Sequence, residues 1–221
     1  MVVLADETGQ AQQVYFRPLG SPTFGSGFED NLFAASVEWG GEANPLLAAL
    51  PQESIFDLQH DSEMRGLIAL LNAELTAQRC GSGGVINRLG EVLIVRLLRA
   101  QIERGSTQAG LLAGLADPRI SRAIVAMHDE PGRLWRNGDL AAIAGLSLSR
   151  FAVLFPQLVG ESPASYLRRW RLTLAWQDVS KGDRVEAVAR RYGYGSPDGF
   201  GRAFKKQFGV SPIDQRPRVG A

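Results

Sequence analysis

Three basic side chains near the C-terminus are spaced for contact with a polyanion. Arg202, Lys205 and Lys206 stand at intervals that bring all three to one side of a helix. A guanidinium can donate two hydrogen bonds to the edge of one guanine base, whereas lysine binds phosphate as a point charge. The pattern therefore favours base recognition by Arg202 and phosphate binding by Lys205 and Lys206.

The helix that would carry these residues belongs to a repeated segment. Five positions recur 49 residues apart, with identical residues at each. Chance rarely reproduces five positions in register, so the repeat indicates a duplicated structural unit. The pairs are Phe151 with Phe200, Phe155 with Phe204, Gly160 with Gly209, Ser162 with Ser211, and Pro163 with Pro212.

Each copy of the repeat predicts two short helices joined by a tight turn, at about 137–160 and 185–209. Such a tandem helix-turn-helix can present two recognition helices to one face of duplex DNA. The phenylalanines, at helical spacing, form the stripe by which each recognition helix packs on its own core. The outward positions, which are the candidate DNA contacts, are Ser147, Ser149, Arg150, Ala152 and Val153 in the first copy and Ser196, Asp198, Gly201, Arg202, Lys205 and Lys206 in the second.

The ends of these helices carry recognisable signals. Ser147 and Ser196 are predicted to cap the two recognition helices, where free backbone N–H groups also attract phosphate. Asp117 followed by Pro118 predicts the start of the first helix in this region. Pro156 lies inside the first recognition helix, and its ring is expected to end or bend that helix about one turn before its counterpart in the second copy.

The charge distribution divides the chain into two parts. Residues 117–221 contain 17 Lys and Arg against 10 Asp and Glu, whereas residues 1–116 contain seven against 13. A basic half beside an acidic half is typical of a polyanion-binding module joined to a different domain.

Few residues are suited to catalysis or metal binding. The chain has two histidines, His60 and His128, and one cysteine, Cys80, with no H-x-H or C-x-x-C spacing. We therefore expect no enzymatic activity, cofactor or metal. His128 is expected near the C-terminus of its helix, where a partial positive charge on the ring would be favourable. The single cysteine and the lack of a recognisable secretory or membrane-spanning segment predict a cytoplasmic protein with no membrane partner.

The N-terminal half predicts a small β region followed by a helical pair. Strands are expected between about 14 and 39, and helices between about 45 and 104. Ser62 is expected to cap the first long helix. The second long helix, at about 85–104, is apolar on more than one face. Packing within the chain and packing against a second copy in a homodimer explain the additional apolar face equally well. The candidate dimer contacts are Leu89, Leu93 and Leu97.

The repeated segment resembles the DNA-binding domain of the AraC/XylS family of transcriptional regulators. The family's first helix-turn-helix is similar to Leu140–Phe155, which includes Ala144-Gly145-Leu146-Ser147, and its second signature is similar to Val185–Pro212, which includes Phe200-x-Arg202-Ala203-Phe204. The resemblance covers about residues 117–217. Residues 43–116 resemble the helical tail of the cupin-type effector domain in one branch of the family, and residues 105–114 read as a linker rich in small and polar side chains.

The resemblance implies a mainly α fold in two parts. A partial cupin-type sensor or dimerisation region would occupy 1–116, and a tandem helix-turn-helix domain of seven helices would occupy 117–221. The implied function is sequence-specific binding of double-stranded DNA in transcription regulation. The resemblance suggests an activator, whereas the sequence itself leaves activator and repressor open. A homodimer and contact with RNA polymerase are further implications, whereas binding of a small-molecule effector stays open.

Two alternatives stay open at this point. Arg150 is the single charged residue between Gly145 and Gly160, and Gly199 and Gly201 lower the helix propensity of the second recognition helix. These features also suit a truncated or degenerate family member that binds DNA weakly and acts mainly through dimerisation. A cupin-type enzyme is the remote alternative, although the two histidines are not clustered as such an enzyme requires.

Overall fold

The computed structural model describes residues 1–18, 31–37, 47, 49–105 and 109–217. These residues form two compact units. The first comprises Met1–Glu38 and Leu50–Arg104, and the second comprises Trp39–Ala49 and Gly105–Ala221. The described chain is mainly helical with one small antiparallel sheet, as the sequence predicted.

Four short strands form the sheet of the first unit. Val14, Phe16 and Phe56 are buried at alternate positions of two neighbouring strands, as expected for a sheet with one face on a core. The sequence predicted too few strands, because β1 and β4 below lie outside the predicted range. The predicted strand end near 39 and helix start near 45 lie outside the described residues. The strands are β1 (Val2–Ala5), β2 (Ala11–Phe16), β3 (Asn31–Ala34) and β4 (Ser54–Asp57), in the order β3-β1-β2-β4 with antiparallel neighbours.

Two long helices complete the first unit. α1 (Ser62–Ala77) and α2 (Ser82–Glu103) pack against each other, and α1 also packs against β2. The prediction that Ser62 caps α1 was wrong. Asp61 stands one position earlier, and its carboxylate accepts a hydrogen bond from the Met64 N–H at 2.8 Å, so Ser62 is already inside the helix.

The burial of α2 corrects the predicted dimer contacts. Leu93 and Leu97 are 0% and 1% exposed, because they pack inside the core of their own unit. Leu89 is half-buried. The exposed apolar side chains of α2 are instead Val85, Val92 and Val95.

Eight helices are described between residues 109 and 217 of the second unit. The seven from α4 onward agree with the predicted number, whereas α3 lies largely in the segment predicted to be a linker. Leu111 belongs to the hydrophobic core of this unit, so this segment is structural. Residues 106–108 of that predicted linker lie outside the described residues. The helices are α3 (Leu111–Ala116), α4 (Pro118–Asp129), α5 (Asn137–Ala144), α6 (Leu148–Val159), α7 (Pro163–Ser180), α8 (Val185–Arg191), α9 (Pro197–Phe208) and α10 (Pro212–Gln215).

One helix, α7, is shared by two hydrophobic cores. Its first half contributes Tyr166 and Leu167 to a core that also contains Phe151 and Phe155 of α6. Its second half contributes side chains including Leu172 and Val179 to a core with Phe200 and Phe204 of α9. These four phenylalanines are fully buried, and Phe208 packs partly buried against the second core. The predicted phenylalanine stripes are therefore confirmed as core residues.

No single helix in the described ranges is long and apolar enough to cross a bilayer. The bent pair α5 and α6, whose axes diverge by 85°, matches a broken span in length and composition alone. The buried residues of this pair, among them Leu140, Phe151 and Phe155, form the core around α7.

Candidate DNA-binding surface

Serine side chains cap both predicted recognition helices. The Ser147 hydroxyl accepts a hydrogen bond from the Arg150 N–H at 3.3 Å at the start of α6. The Ser196 hydroxyl accepts one from the Gly199 N–H at 3.1 Å at the start of α9. The two predicted caps are thus confirmed, and the remaining free N–H groups of each first turn are available to a phosphate.

The first recognition helix, α6, continues through Pro156, so the predicted early end was wrong. α6 and α9 both have 12 residues and both end at a glycine in the left-handed region, Gly160 and Gly209. Proline removes the backbone bond that would reach the Ala152 carbonyl. Ala152 is exposed, so water can satisfy that carbonyl. Leu154, Phe155 and Val159 are buried around the proline, and this packing holds the helix together.

The outward face of α6 has one charged side chain, Arg150, among small polar and apolar ones. The predicted contacts Ser147, Ser149, Arg150, Ala152 and Val153 are all exposed. Val153 is 58% exposed, and Leu148, which the sequence analysis did not include, is 55% exposed. Apolar side chains at such positions can contact the methyl group of thymine. Leu148 precedes Phe151 by three residues, so helical spacing alone places it beside the buried stripe; its exposure follows from its position in the first turn of α6.

The outward face of α9 is polar and basic. Ser196, Asp198, Arg202, Lys205 and Lys206 are exposed, and Gly201 is partly exposed. Within the described ranges, neither Arg202 nor either lysine forms an ion pair with a carboxylate. No carboxylate in the described part of the chain therefore neutralises these three cations, and this favours contact with an external anion.

A groove borders α9 and adds residues that the sequence analysis missed. Its volume is about 730 Å³, and α8, α9 and α10 each contribute to its walls. Arg202 and Lys205 line it together with Arg216 and Ile213, which is 74% exposed. Arg216 is adjacent to the predicted segment but follows the repeat, so the 49-residue pattern could not include it.

Two arginines bind backbone carbonyls at the turns of this unit, one exposed (Arg122) and one half-buried (Arg171). The Arg122 guanidinium donates from Nε to the Ile143 carbonyl at 3.1 Å and from Nη2 to the Ala144 carbonyl at 2.9 Å. These bonds satisfy the end of α5 just before the turn into α6. Arg171 donates to two carbonyls of the loop between α4 and α5. The acceptors are backbone carbonyls, which every residue has, so the sequence alone does not predict the contacts of either arginine.

His128 is neutral, in contrast to the sequence expectation of a partial positive charge. Its ring stacks on Trp170 with centroids 4.0 Å apart, and its Nε2 lies 2.6 Å from the Tyr166 hydroxyl. Burial lowers the pKa of His128 from 6.5 to about 4, and burial raises the pKa of Tyr166. The histidine is a packing residue of the first core.

The described ranges contain no group of three or more His, Cys, Asp or Glu side chains that could hold a metal ion. His60 and Cys80 are both exposed.

Two family models match this chain, a helix-turn-helix domain at residues 140–218 and a cupin at residues 1–103. A putative AraC-like transcription regulator of Streptomyces lividans is 35% identical over 162 residues, which is 72% of this chain and 53% of that protein. The chain belongs to the AraC family. Another relative, the HTH-type transcriptional regulator AlkR of Acinetobacter baylyi, is 32% identical over 180 residues, 78% of this chain and 58% of AlkR.

Among solved structures, an AraC-type regulator from Chromobacterium violaceum aligns with a TM-score of 0.44 and 22% identity, covering 48% of this chain and 97% of that one. This AraC-family chain spans about half the length of the S. lividans relative that it matches.

Proposed function

We propose that this protein regulates transcription by placing α6 and α9 in successive major-groove segments of one DNA site. The supporting observation is the matched pair of helices. Each has 12 residues, a serine cap, a buried phenylalanine stripe and an exposed outward face. Both stand on α7, which joins their cores. This geometry suits two recognition helices on one DNA face.

The two helices would read DNA by different chemistry. α9 presents Arg202 for a guanine edge and Lys205 and Lys206 for phosphates. α6 presents Ala152 and Val153, which suit thymine methyl groups and the shape of the groove. The predicted site therefore has one half read mainly by hydrogen bonds and the other mainly by apolar contact.

Selection of bound sequences from random DNA by the full chain tests this function. We expect a bipartite motif with halves about 10 base pairs apart, because successive major-groove segments on one face are separated by one helical turn. A guanine should be enriched in the half that Arg202→Ala relaxes. Recovery of unselected sequence after repeated rounds would contradict the proposal and would favour the weakly binding, degenerate family member.

We also propose a homodimer through the exposed valines of α2. The stripe is centred on Val92, which follows Val85 by seven residues and precedes Val95 by three. Each of these valines is at least 41% exposed. That spacing forms one apolar stripe along a helix, suited to a second copy of the same helix. Two joined copies would bind paired sites with higher avidity. Contact with RNA polymerase stays a prediction of the family resemblance.

Analytical ultracentrifugation tests the dimer. We expect a dimer at micromolar concentration and a folded monomer for Val92→Asp. The variant should bind single sites normally and paired sites more weakly. A monomeric wild type would contradict this proposal and leave DNA binding by the single chain intact.

A further inference from the structure

Two arginines occupy equivalent positions in the two repeats. Arg122 on α4 and Arg171 on α7 are 49 residues apart, the spacing of the repeat itself. Each lies beside a glycine of the following helix-turn-helix. A Cβ added to Gly145 would stand 3.3 Å from Nη2 of Arg122, and one added to Gly193 would stand 3.4 Å from Nη2 of Arg171.

The two arginines nevertheless bind different partners. Arg122 bonds the carbonyls at the end of α5, within its own repeat. Arg171 donates from Nε to the Pro131 carbonyl at 2.5 Å and from Nη2 to the Arg133 carbonyl at 2.7 Å. Both of these carbonyls belong to the loop between α4 and α5, in the other repeat. Arg171 thus connects the repeats, whereas its counterpart does not.

Two glycines bring the same two segments into direct backbone contact. A Cβ on Gly132 would lie 2.3 Å from the Arg191 carbonyl oxygen, a distance that no side chain could tolerate without movement of the backbone. A Cβ on Gly193 would lie 2.8 Å from the Gly132 carbonyl oxygen, and Gly193 also has φ of +73°. The loop of the first repeat therefore rests on the α8–α9 turn of the second.

Because Arg171 is partly buried, its guanidinium requires both carbonyl acceptors to stay in position. Its guanidinium is half-buried, and burial lowers its pKa. A partly desolvated cation needs its hydrogen-bond partners, so the two loop carbonyls must stay in place. The fork of the guanidinium holds both at once, which an ammonium group does less well.

We propose that Arg171, Gly132 and Gly193 form a junction that fixes the position of α6 relative to α9 and thereby sets the base-pair spacing the protein accepts. This inference rests on the proposed DNA-binding function. With α7 as the single connection, the two repeats could twist relative to each other. The junction supplies a second point of attachment, so the two recognition helices move as one body.

The consequence for DNA is a strict spacing between the two halves of a site. Insertion of one base pair moves one half by about 3.4 Å and rotates it by about 35°. A rigid pair of helices cannot follow such a change, whereas a hinged pair can. Arg171 is thus a positioning residue that need not touch DNA.

The first experiment measures the junction without DNA. Spin labels on Gln157 of α6 and Gln207 of α9, both exposed, report the distance between the helices in the full chain with Cys80→Ser. We expect a narrow distribution in this parent and a broad one in Gly132→Ala. The control is Gly138→Ala, because a Cβ at Gly138 meets nothing within 4 Å. Equal widths for Gly132→Ala and the parent would overturn the proposal.

The second experiment measures spacing preference on selected DNA with zero, one or two base pairs inserted between the halves. The wild type should lose about tenfold or more in affinity for one insertion, since one helix then loses its base contacts. Gly132→Ala and Arg171→Ala should lose about threefold or less, with affinity for an isolated half-site unchanged. Retention of the wild-type preference by both variants would contradict the junction.

A variant that fails to fold is distinguished by its loss of half-site binding. If Arg171→Ala does not fold, Arg171→Lys is used in its place, because lysine keeps the positive charge but lacks the paired N–H donors of the guanidinium. An unchanged spacing preference in Arg171→Lys would overturn the proposal. If the wild type selects no bipartite site at all, the proposed function fails. The distances between the spin labels would then still test the junction, because they are measured without DNA.

Discussion

At the scale of single residues, Arg202 and Lys206 are expected to play different parts. Arg202→Ala should cost about 1–3 kcal/mol on the selected sequence and little on random DNA, because it removes one bidentate base contact. Lys206→Ala should weaken binding to all sequences alike and reduce the salt slope by about one. Competition between specific and random DNA measures both effects. If Arg202→Ala weakens binding to specific and random DNA equally, Arg202 contacts the DNA phosphate backbone and not a base edge.

His128 should make the stability of the second unit depend on pH. Its pKa is about 4 in the folded chain, against 6.5 ordinarily, because burial disfavours the charged ring. The unfolded chain binds a proton between these values and the folded chain does not. Stability is therefore complete above about pH 6.5 and falls as the pH drops towards 4, by up to about 3 kcal/mol.

Comparison with His128→Gln isolates this effect from the titration of carboxylates. Chemical denaturation at pH 7, 6, 5 and 4 gives the free energy of unfolding of each protein. The difference between wild type and variant should shrink as the pH falls. A constant difference across that range would show that His128 titrates normally in the folded chain.

At the scale of elements, Pro156 is expected to be a tolerated defect of α6. Pro156→Ala restores one backbone hydrogen bond to the Ala152 carbonyl. The loss of proline also raises the conformational entropy of the unfolded chain, and this lowers the free energy of unfolding by up to about 1 kcal/mol. We expect a net gain of about 1–2 kcal/mol in the free energy of unfolding. Lys205→Ala, at the equivalent position 49 residues later, is the matched control and should change little. A loss of stability in Pro156→Ala would show that the ring packs favourably.

α3 should stabilise the domain that carries both recognition helices. Leu111 is 3% exposed and lies in the same core as Ile124 and Phe155. A fragment that begins at residue 105 should therefore unfold at higher denaturant than one that begins at 117. Burial of one leucine side chain is worth about 2 kcal/mol. Identical unfolding midpoints for the two fragments would place α3 outside the cooperative unit.

The elements with strong local signals were predictable from the sequence. Ser147 and Ser196 cap their helices, Asp117 and Pro118 start α4 as expected, and the phenylalanine spacing identified the buried stripes. The missed elements depend on partners distant in the chain. β1 and β4 have four residues each and are defined by pairing with other strands. The continuation of α6 through Pro156 likewise depends on its packing, which local propensity does not contain.

The exposure of the candidate site residues was predictable to the same extent. Outward positions on α6 and α9 follow from the stripe on the opposite side, and those positions are exposed as expected, apart from the partly exposed Gly201. The contacts of Arg122 and Arg171 were not predictable, since their partners are backbone carbonyls of loops. The dimer residues were misjudged because apolar excess on α2 does not reveal which face the first unit covers.

At the scale of the whole molecule, the charge asymmetry should appear in the salt dependence of binding. Residues 117–221 carry 17 basic and 10 acidic side chains, so attraction to the DNA backbone is concentrated there. The logarithm of affinity should fall linearly with the logarithm of salt concentration for the full chain. A flat dependence would mean that phosphate contacts contribute little. Titration of labelled DNA at several salt concentrations provides the slope.

The central claim is that α6 and α9 occupy successive major-groove segments of one site. Protection of guanine N7 atoms from methylation by the bound full chain tests it most directly, because N7 lies in the major groove. We expect two protected patches on one DNA face, about 10 base pairs apart. Arg202→Ala should remove protection in one patch and leave the other. A single patch, or loss of both patches together in that variant, would contradict placement of the two helices in successive major-groove segments.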